Sequence, residues 1–235
     1  MEGFKKYPLI ALPLNDENIK ENIKSAKNKG IDIIELRIDL FKNTEINNIE
    51  NIFKFVKENG FGIIATVRSV EEGGGIFIPD DKRIEIFKKV SKYSDILDIE
   101  LRSTSLHEQI SEISRTSGSK LLVSYHDFEK TPNEEEIQNI IDKSKFGDIV
   151  KFAFMVNSYD DVGKILSVCH RNREKNIIAI GMGELGKITR VAGFFFGSLI
   201  TYTYVGESVA PGQIEVEELI KELKFYGLRS WRWNT

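Results

Sequence analysis

The sequence predicts a (β/α)8 barrel, and three observations predict it. Short runs of β-branched and apolar residues alternate with longer amphipathic stretches along the 235-residue chain. Eight such alternations occur, with strand starts spaced roughly every 23 to 33 residues, the size of a right-handed βα unit. No linker rich in Pro, Gly or Ser and no shift in composition interrupts the series, so one domain over residues 1–235 is expected. A doubly wound open sheet has the same alternation, because alternation alone does not establish closure.

Taken in order, the expected strands are LIALPL at 9–14, DIIELRI at 32–38, GIIATVR at 62–68 and DILDIEL at 95–101. Next come KLLVSYH at 120–126, DIVKFAF at 148–154, NIIAIGM at 176–182 and LITYTYV at 199–205. Each is a short apolar run, as strands covered on both faces require. Between them NDENIKENIKSAKNKG, EINNIENIFKFVKENG, DDKRIEIFKKVSKY and TPNEEEIQNIIDKSKFG place apolar residues at helical spacing. Several of these open with Asn, Asp or Thr and close at Gly, the residues that cap helix ends.

Composition narrows the function classes. The formal net charge is −3 and no basic run is present to neutralise a row of phosphates, so nucleic acid is not an expected partner. The one cysteine, Cys169, has no partner for a disulfide and excludes a thiolate metal cluster, which fits a reducing cytoplasm. The apolar run near the N-terminus is too short for a signal-peptide core, and no stretch reaches membrane-spanning length. A cytosolic protein without membrane contact is expected.

In a barrel the active site lies at the C-terminal ends of the strands. There the sequence carries ionisable groups where branched apolar side chains normally pack. Strand two has Glu35, Arg37 and Asp39 at alternate positions, which share one side of an extended strand. Strand three ends in Arg68 and runs into SVEEGGG; strand five ends in SYHDF; strand seven leads into GMGELGKITR. Lys151 sits among Val150, Phe152 and Ala153. A buried lysine loses solvation of its ammonium, and a free amine attacks ketones to form a Schiff base. The alternative is a structural lysine, either snorkelling or paired with a carboxylate such as Glu35.

His126 reads either as a structural hydrogen bonder at a strand end or as the proton carrier that imine chemistry requires, and its expected place beside Lys151 on the neighbouring strand favours the second. The adjacent Glu71 and Glu72 read either as part of a solvated turn or as the source of one carboxylate that orients His126. His107 and His170 read as surface or packing residues, and no metal-ligand spacing occurs. GMGELG matches a dinucleotide-binding pattern, but too few residues follow it to build that fold. The loop is expected instead to receive an anion, with Arg190 clamping a carboxylate. GESVAPGQI, at 206–214, reads as a lid or as the last turn of the barrel.

ELRID, ATVRSVEEGG, LVSYHDFEKTP, DIVKFAF, GMGELGKITR and APGQI, in this order, resemble the type I 3-dehydroquinate dehydratases over nearly the whole chain. The resemblance implies dehydration of 3-dehydroquinate to 3-dehydroshikimate in the shikimate pathway, with no metal or diffusible cofactor, by a cytoplasmic homodimer. It implies Lys151 as the Schiff-base lysine, His126 as the proton shuttle and Glu72 as the histidine's carboxylate partner. Glu35, Arg37, Arg68, Arg190 and Gln213 fall on substrate-binding positions. Two departures occur: Val209 stands where serine often precedes APGQ, with Ser208 one residue earlier, and Pro13 replaces a serine often found in strand one. A Schiff-base aldolase on the same barrel, and a catalytically silent barrel that binds a metabolite, are the alternatives. The C-terminal YGLRSWRWNT reads as an interface or barrel-capping segment.

Overall fold

A computed structural model describes residues 8–206, 208 and 210–229. Val209 and most of the C-terminal segment therefore lie outside the described residues. Strands β1 (Leu9–Leu14), β2 (Ile33–Arg37), β3 (Gly62–Thr66), β4 (Ile96–Glu100), β5 (Lys120–Asp127), β6 (Ile149–Met155), β7 (Ile177–Met182) and β8 (Ile200–Tyr204) form one parallel sheet. Its order is β7-β6-β5-β4-β3-β2-β1-β8, followed at the edge by the short β9 (Ile214–Glu215). The sheet curls until its ends meet. At that seam the Leu199 N–H donates to Ile177 O at 2.9 Å, and Ile177 and Ser198 form a parallel bridge.

This is the expected barrel, and all eight expected strands form within two residues of their predicted ends. The main departure is in the second strand: pairing stops at Arg37, and Ile38–Leu40 turns into a 3-10 helix. Asp39 therefore leaves the alternating row it was expected to share with Glu35 and Arg37. It receives instead the Arg68 and Gly75 N–H groups, at 3.1 and 3.2 Å.

Helices α1 (Ile19–Asn28), α2 (Ile46–Glu58), α3 (Asp80–Val90), α4 (His107–Ser117), α5 (Glu134–Lys143), α6 (Tyr159–Arg171), α7 (Thr189–Ala192) and α8 (Val216–Phe225) connect or follow the strands. At the start of α5 the Asn133 side chain and Glu136 form a reciprocal capping box. Ser158 and Asp161 do the same for α6. Among the described residues no helix is long and apolar enough to cross a membrane.

Alternation decides what the barrel encloses. At the N-terminal ends of the strands the inward positions are Ile33, Ile64, Ile96, Leu122, Ile149, Ile178 and Ile200, all buried in one apolar cluster. Two residues further on, the same faces carry Glu35, Thr66, Asp98, Ser124 and Lys151, buried as well. The outward positions pack beneath the helices in two larger clusters. An apolar floor thus supports a charged upper layer, and the site occupies that layer.

Candidate active site

The upper layer opens into a cavity lined by Glu35, Arg37, Arg68, Glu72, His126, Lys151, Arg190 and Gln213, with Pro13, Phe128 and Tyr202 among the other walls. Eight residues scattered from 35 to 213 are thereby brought together. Lys151 projects from the middle of β6 and is only 6% exposed. Its Nζ lies 3.8 Å from Asp98 Oδ2 and 3.9 Å from Glu35 Oε1, too far for hydrogen bonds in either case. Burial lowers its pKa first, and the Arg68 and Arg37 charges lower it further against the opposing pull of Glu35 and Asp98.

His126, two residues along β5 from Ser124, which is in register with Lys151, meets Glu72 twice. Its Nδ1 and its backbone N–H both lie 2.9 Å from Glu72 Oε2. An Nδ1–H donated to the carboxylate leaves Nε2 as the basic nitrogen. Burial, followed by the charges of Arg68, Lys151, Arg37 and Arg102, holds the imidazole pKa well below its ordinary value, so the ring is neutral. Burial raises the Glu72 carboxyl to about 7, with Glu100 adding to the effect and Arg68 and Arg102 opposing it.

Glu72 sits in the 3-10 turn Val70–Glu72 after β3, and Glu71 beside it is exposed. Arg37 grips Asp39 through two N–H groups, at 2.9 and 2.6 Å, and reaches Gly73 O at 3.3 Å, so β2 and the Glu72 turn are tied together.

Arg68 lies beneath the turn. Its Nη2 donates to Asp98 at 2.7 Å, while Nη1 reaches Ser124 Oγ at 2.6 Å and Glu100 at 3.2 Å. Its guanidinium is thus largely engaged by protein, and the Asp98, Glu100 and Glu72 carboxylates keep its pKa well above the ordinary value despite burial. Glu100 also receives Ser69 N–H at 2.8 Å and Arg83 Nη2 at 2.5 Å.

Arg190, in α7, donates to the carbonyls of Gly212, Tyr202 and Pro211 at 2.6, 3.3 and 3.2 Å. It therefore joins β8 to the 206–213 loop, and its pKa is lowered to about 10 by burial. Gln213 Oε1 accepts from Ser208 Oγ at 3.1 Å in the same loop. Thr203 Oγ1 donates to Ile214 O at 2.7 Å and anchors the loop where it rejoins the barrel.

The glycine-rich GMGELG segment has a packing explanation. A Cβ on Gly186 would lie 2.5 Å from the carbonyl carbon of Gly181, and the Gly181 N–H already donates to Thr189 Oγ1 at 2.8 Å. The turn is closed on itself and α7 is a single turn long, so the expected anion cradle at a helix start does not form there.

Sequence reasoning passed over Asp98, Glu100, Arg102 and Tyr202. Asp98 and Glu100 alternate in a strand buried at every position, a signal of the same kind that drew attention to Glu35 and Arg37. Arg102 follows β4 and donates to His126 O at 2.9 Å and Glu72 Oε1 at 3.3 Å. His107 and His170 stay outside the cavity: His107 packs on Phe146 with its Nε2 3.0 Å from Glu100 O, and His170 packs on Phe196.

Residues 10–230 match the family model for type I 3-dehydroquinase. The chain is 43% identical over 222 residues to the 3-dehydroquinate dehydratase of Aquifex aeolicus, covering 94% of this chain and all of that one. It is 41% identical over 219 residues to that of Methanocaldococcus jannaschii, covering 90% of this chain and 96% of the relative. The crystal structure of the Aquifex aeolicus enzyme superposes with a TM-score of 0.86 at 42% identity, covering 93% of this chain and 98% of that one. That of the type I enzyme from Clostridium difficile, carrying covalently modified comenic acid, gives 0.86 at 29% identity, covering 94% and 92%. The chain belongs to the type I 3-dehydroquinase family.

Proposed function

We propose that this protein is a 3-dehydroquinate dehydratase that forms 3-dehydroshikimate through a Schiff base on Lys151. The observation that carries the reading is Lys151 itself, a buried primary amine with lowered pKa and no carboxylate within hydrogen-bond distance among the described residues, facing the cavity with His126. Family membership and the similarity to named dehydratases support the substrate.

Nζ adds to the ring ketone, water leaves, and the resulting iminium withdraws electrons from the neighbouring C–H. Neutral His126 removes that proton through Nε2, and Glu72 steadies the imidazolium through Nδ1. The enamine then collapses, the β-hydroxyl departs with the proton His126 took, and hydrolysis of the product imine frees Lys151. A single acid–base group acting on one face gives syn elimination. The iminium is the electron sink, so no cofactor enters these steps. Arg190 is the group for the substrate carboxylate, while Glu35, Arg37, Arg68 and Gln213 orient the ring and its hydroxyls. Arg68 contributes chiefly by position, since its charge is paired with Asp98 and Glu100, whereas among the described residues the Arg190 nitrogens meet only neutral backbone carbonyls.

The same reading carries a place in the shikimate pathway, a cytoplasmic location and a homodimer, the last of which sedimentation of the purified protein tests. The chemistry is tested by borohydride reduction in the presence of 3-dehydroquinate, with peptide mass mapping and the Lys151→Ala variant as control. The expected result is a ligand-sized adduct on Lys151 and loss of turnover in the variant. Turnover that survives in Lys151→Ala would make the lysine structural and refute the mechanism.

A further inference from the structure

The cavity contains one polar group that the mechanism above does not use. Tyr202, at an inward position of β8, is 5% exposed, and its hydroxyl has no hydrogen-bond partner among the described residues. Of the buried side-chain polar atoms in that condition, only this one belongs to a residue lining the cavity. A buried hydroxyl without a partner destabilises a fold, and phenylalanine would fill the same space without that cost. The hydroxyl therefore calls for a ligand.

Geometry indicates which ligand atom. Lys151 Nζ stands over the face of the Tyr202 ring, 4.3 Å from its centroid. The π-face thus meets the nitrogen, where it favours a cation, and no hydrogen bond joins the hydroxyl to the amine. Burial and the nearby Glu35 and Asp98 charges raise the phenol pKa well above its ordinary value, so the group keeps its proton and serves as a donor.

We propose that Tyr202 is a further catalytic residue, whose hydroxyl donates a hydrogen bond to the oxygen that leaves the Lys151 carbinolamine as water. The inference rests on the Schiff-base reading. In the step concerned, the Nζ lone pair forms the C–N bond, and one Nζ proton passes to the former ketone oxygen. The C–O bond then breaks with a second proton entering from solution, and water departs as C=N⁺ forms. Hydrolysis of the product imine runs the same exchange backwards. Tyr202 keeps its own proton throughout and fixes the position of the oxygen in both directions, while its ring face stabilises the iminium charge.

Tyr202→Phe retains the ring and removes only the hydroxyl. Three quantities are read: kcat and KM for 3-dehydroquinate, the rate of ¹⁸O exchange from labelled water into the ketone of unconverted substrate, and the melting temperature. The exchange reports imine formation independently of dehydration. The expected result is a kcat at least about 10-fold lower, as for loss of one donor at a reacting oxygen, with KM within about two-fold, exchange slowed in proportion, and a melting temperature equal to or above wild type. Unchanged kcat and exchange would mean an inert hydroxyl, and an effect confined to KM would mean a contact with bound substrate alone; either overturns the proposal. A variant that failed to fold would overturn it too, because removing an unpartnered hydroxyl does not unfold a protein. Borohydride trapping on Lys151 in the wild type keeps the two readings separate. If trapping fails the Schiff base itself is refuted, and if it succeeds while Tyr202→Phe is indifferent only the present inference falls.

Discussion

Glu100→Gln isolates the buried charge network under the site. Glu100 is fully buried and holds Arg68 at 3.2 Å, Arg83 at 2.5 Å and the Ser69 N–H at 2.8 Å. Burial alone would raise its pKa, yet the Arg68 and Arg83 charges and these hydrogen bonds bring it from 4.5 to about 2. That difference favours the ionised carboxylate in the fold by about 3 kcal/mol, at ~1.4 kcal/mol per pKa unit. It agrees with the ~3–5 kcal/mol typical of breaking a buried pair from one side. For a domain of this size, a loss of about 3 kcal/mol lowers the melting temperature by roughly 6–12 °C.

The pH window follows from the sign. A carboxyl whose pKa is depressed by folding stabilises the protein above its unfolded pKa and loses that contribution as pH falls through its folded value. The gap between wild type and variant is therefore full at neutral pH and closes between about pH 4.5 and about 2. Glu100 also raises the pKa of Glu72, so the variant moves that group below about 7. Calorimetry at several pH values, combined with kcat/KM profiles, checks both effects. Melting within about 2 °C of wild type at pH 7 would refute the claim that Glu100 neutralises the buried arginines.

Four further outcomes are expected. Activity in the wild type rises with pH through about 7, as Glu72 loses its proton and can accept from His126 Nδ1; Glu72→Gln flattens that limb and lowers kcat, which a pH–rate profile reads directly. Because the Glu72 carboxyl is raised in the fold, its own contribution to stability is present below its unfolded pKa and falls as pH rises toward about 7, opposite in sign to Glu100. Arg190→Ala raises KM by at least about 10²-fold, the loss of a charged, buried carboxylate partner, and steady-state kinetics decide the matter. Gly212→Ala displaces the loop that Arg190 holds: Gly212 has φ +71°, and a Cβ there would lie 2.3 Å from Gly183 O. Activity should fall while circular dichroism and melting remain near wild type.

How much of this was legible in the sequence depends on whether a residue's neighbours are local. The strands were readable because each is covered on both faces, so burial alone fixes an apolar run of the right length. Lys151 and His126 were readable because each interrupts such a run. Asp39 was misplaced because alternation was extended past Arg37, where a turn begins that no apolar period marks. The pairings of Arg68 could not be read at all: Asp98 and Ser124 lie 30 and 56 residues away and meet it only through the order of strands in the barrel. The glycines of GMGELG misled in the other direction, since close packing of Gly181 on Gly186 demands the same residue as an anion loop does.

The upper layer also treats its two buried cations, Arg68 and Lys151, differently. Both cations are buried among carboxylates, but Arg68 has a flat, multidentate head that Asp98, Glu100 and Ser124 engage at once, so its charge is locked in. Lys151 receives only the distant side of the same set, with Asp98 and Glu35 each nearly 4 Å away and both committed to other donors, Arg68 Nη2 at 2.7 Å and Thr66 Oγ1 at 2.9 Å. Carboxylates already engaged by an arginine and a threonine leave the lysine's desolvation incompletely offset, and its pKa falls. The network ties the strands of the barrel together and, by the same bonds, withholds from Lys151 a close carboxylate partner.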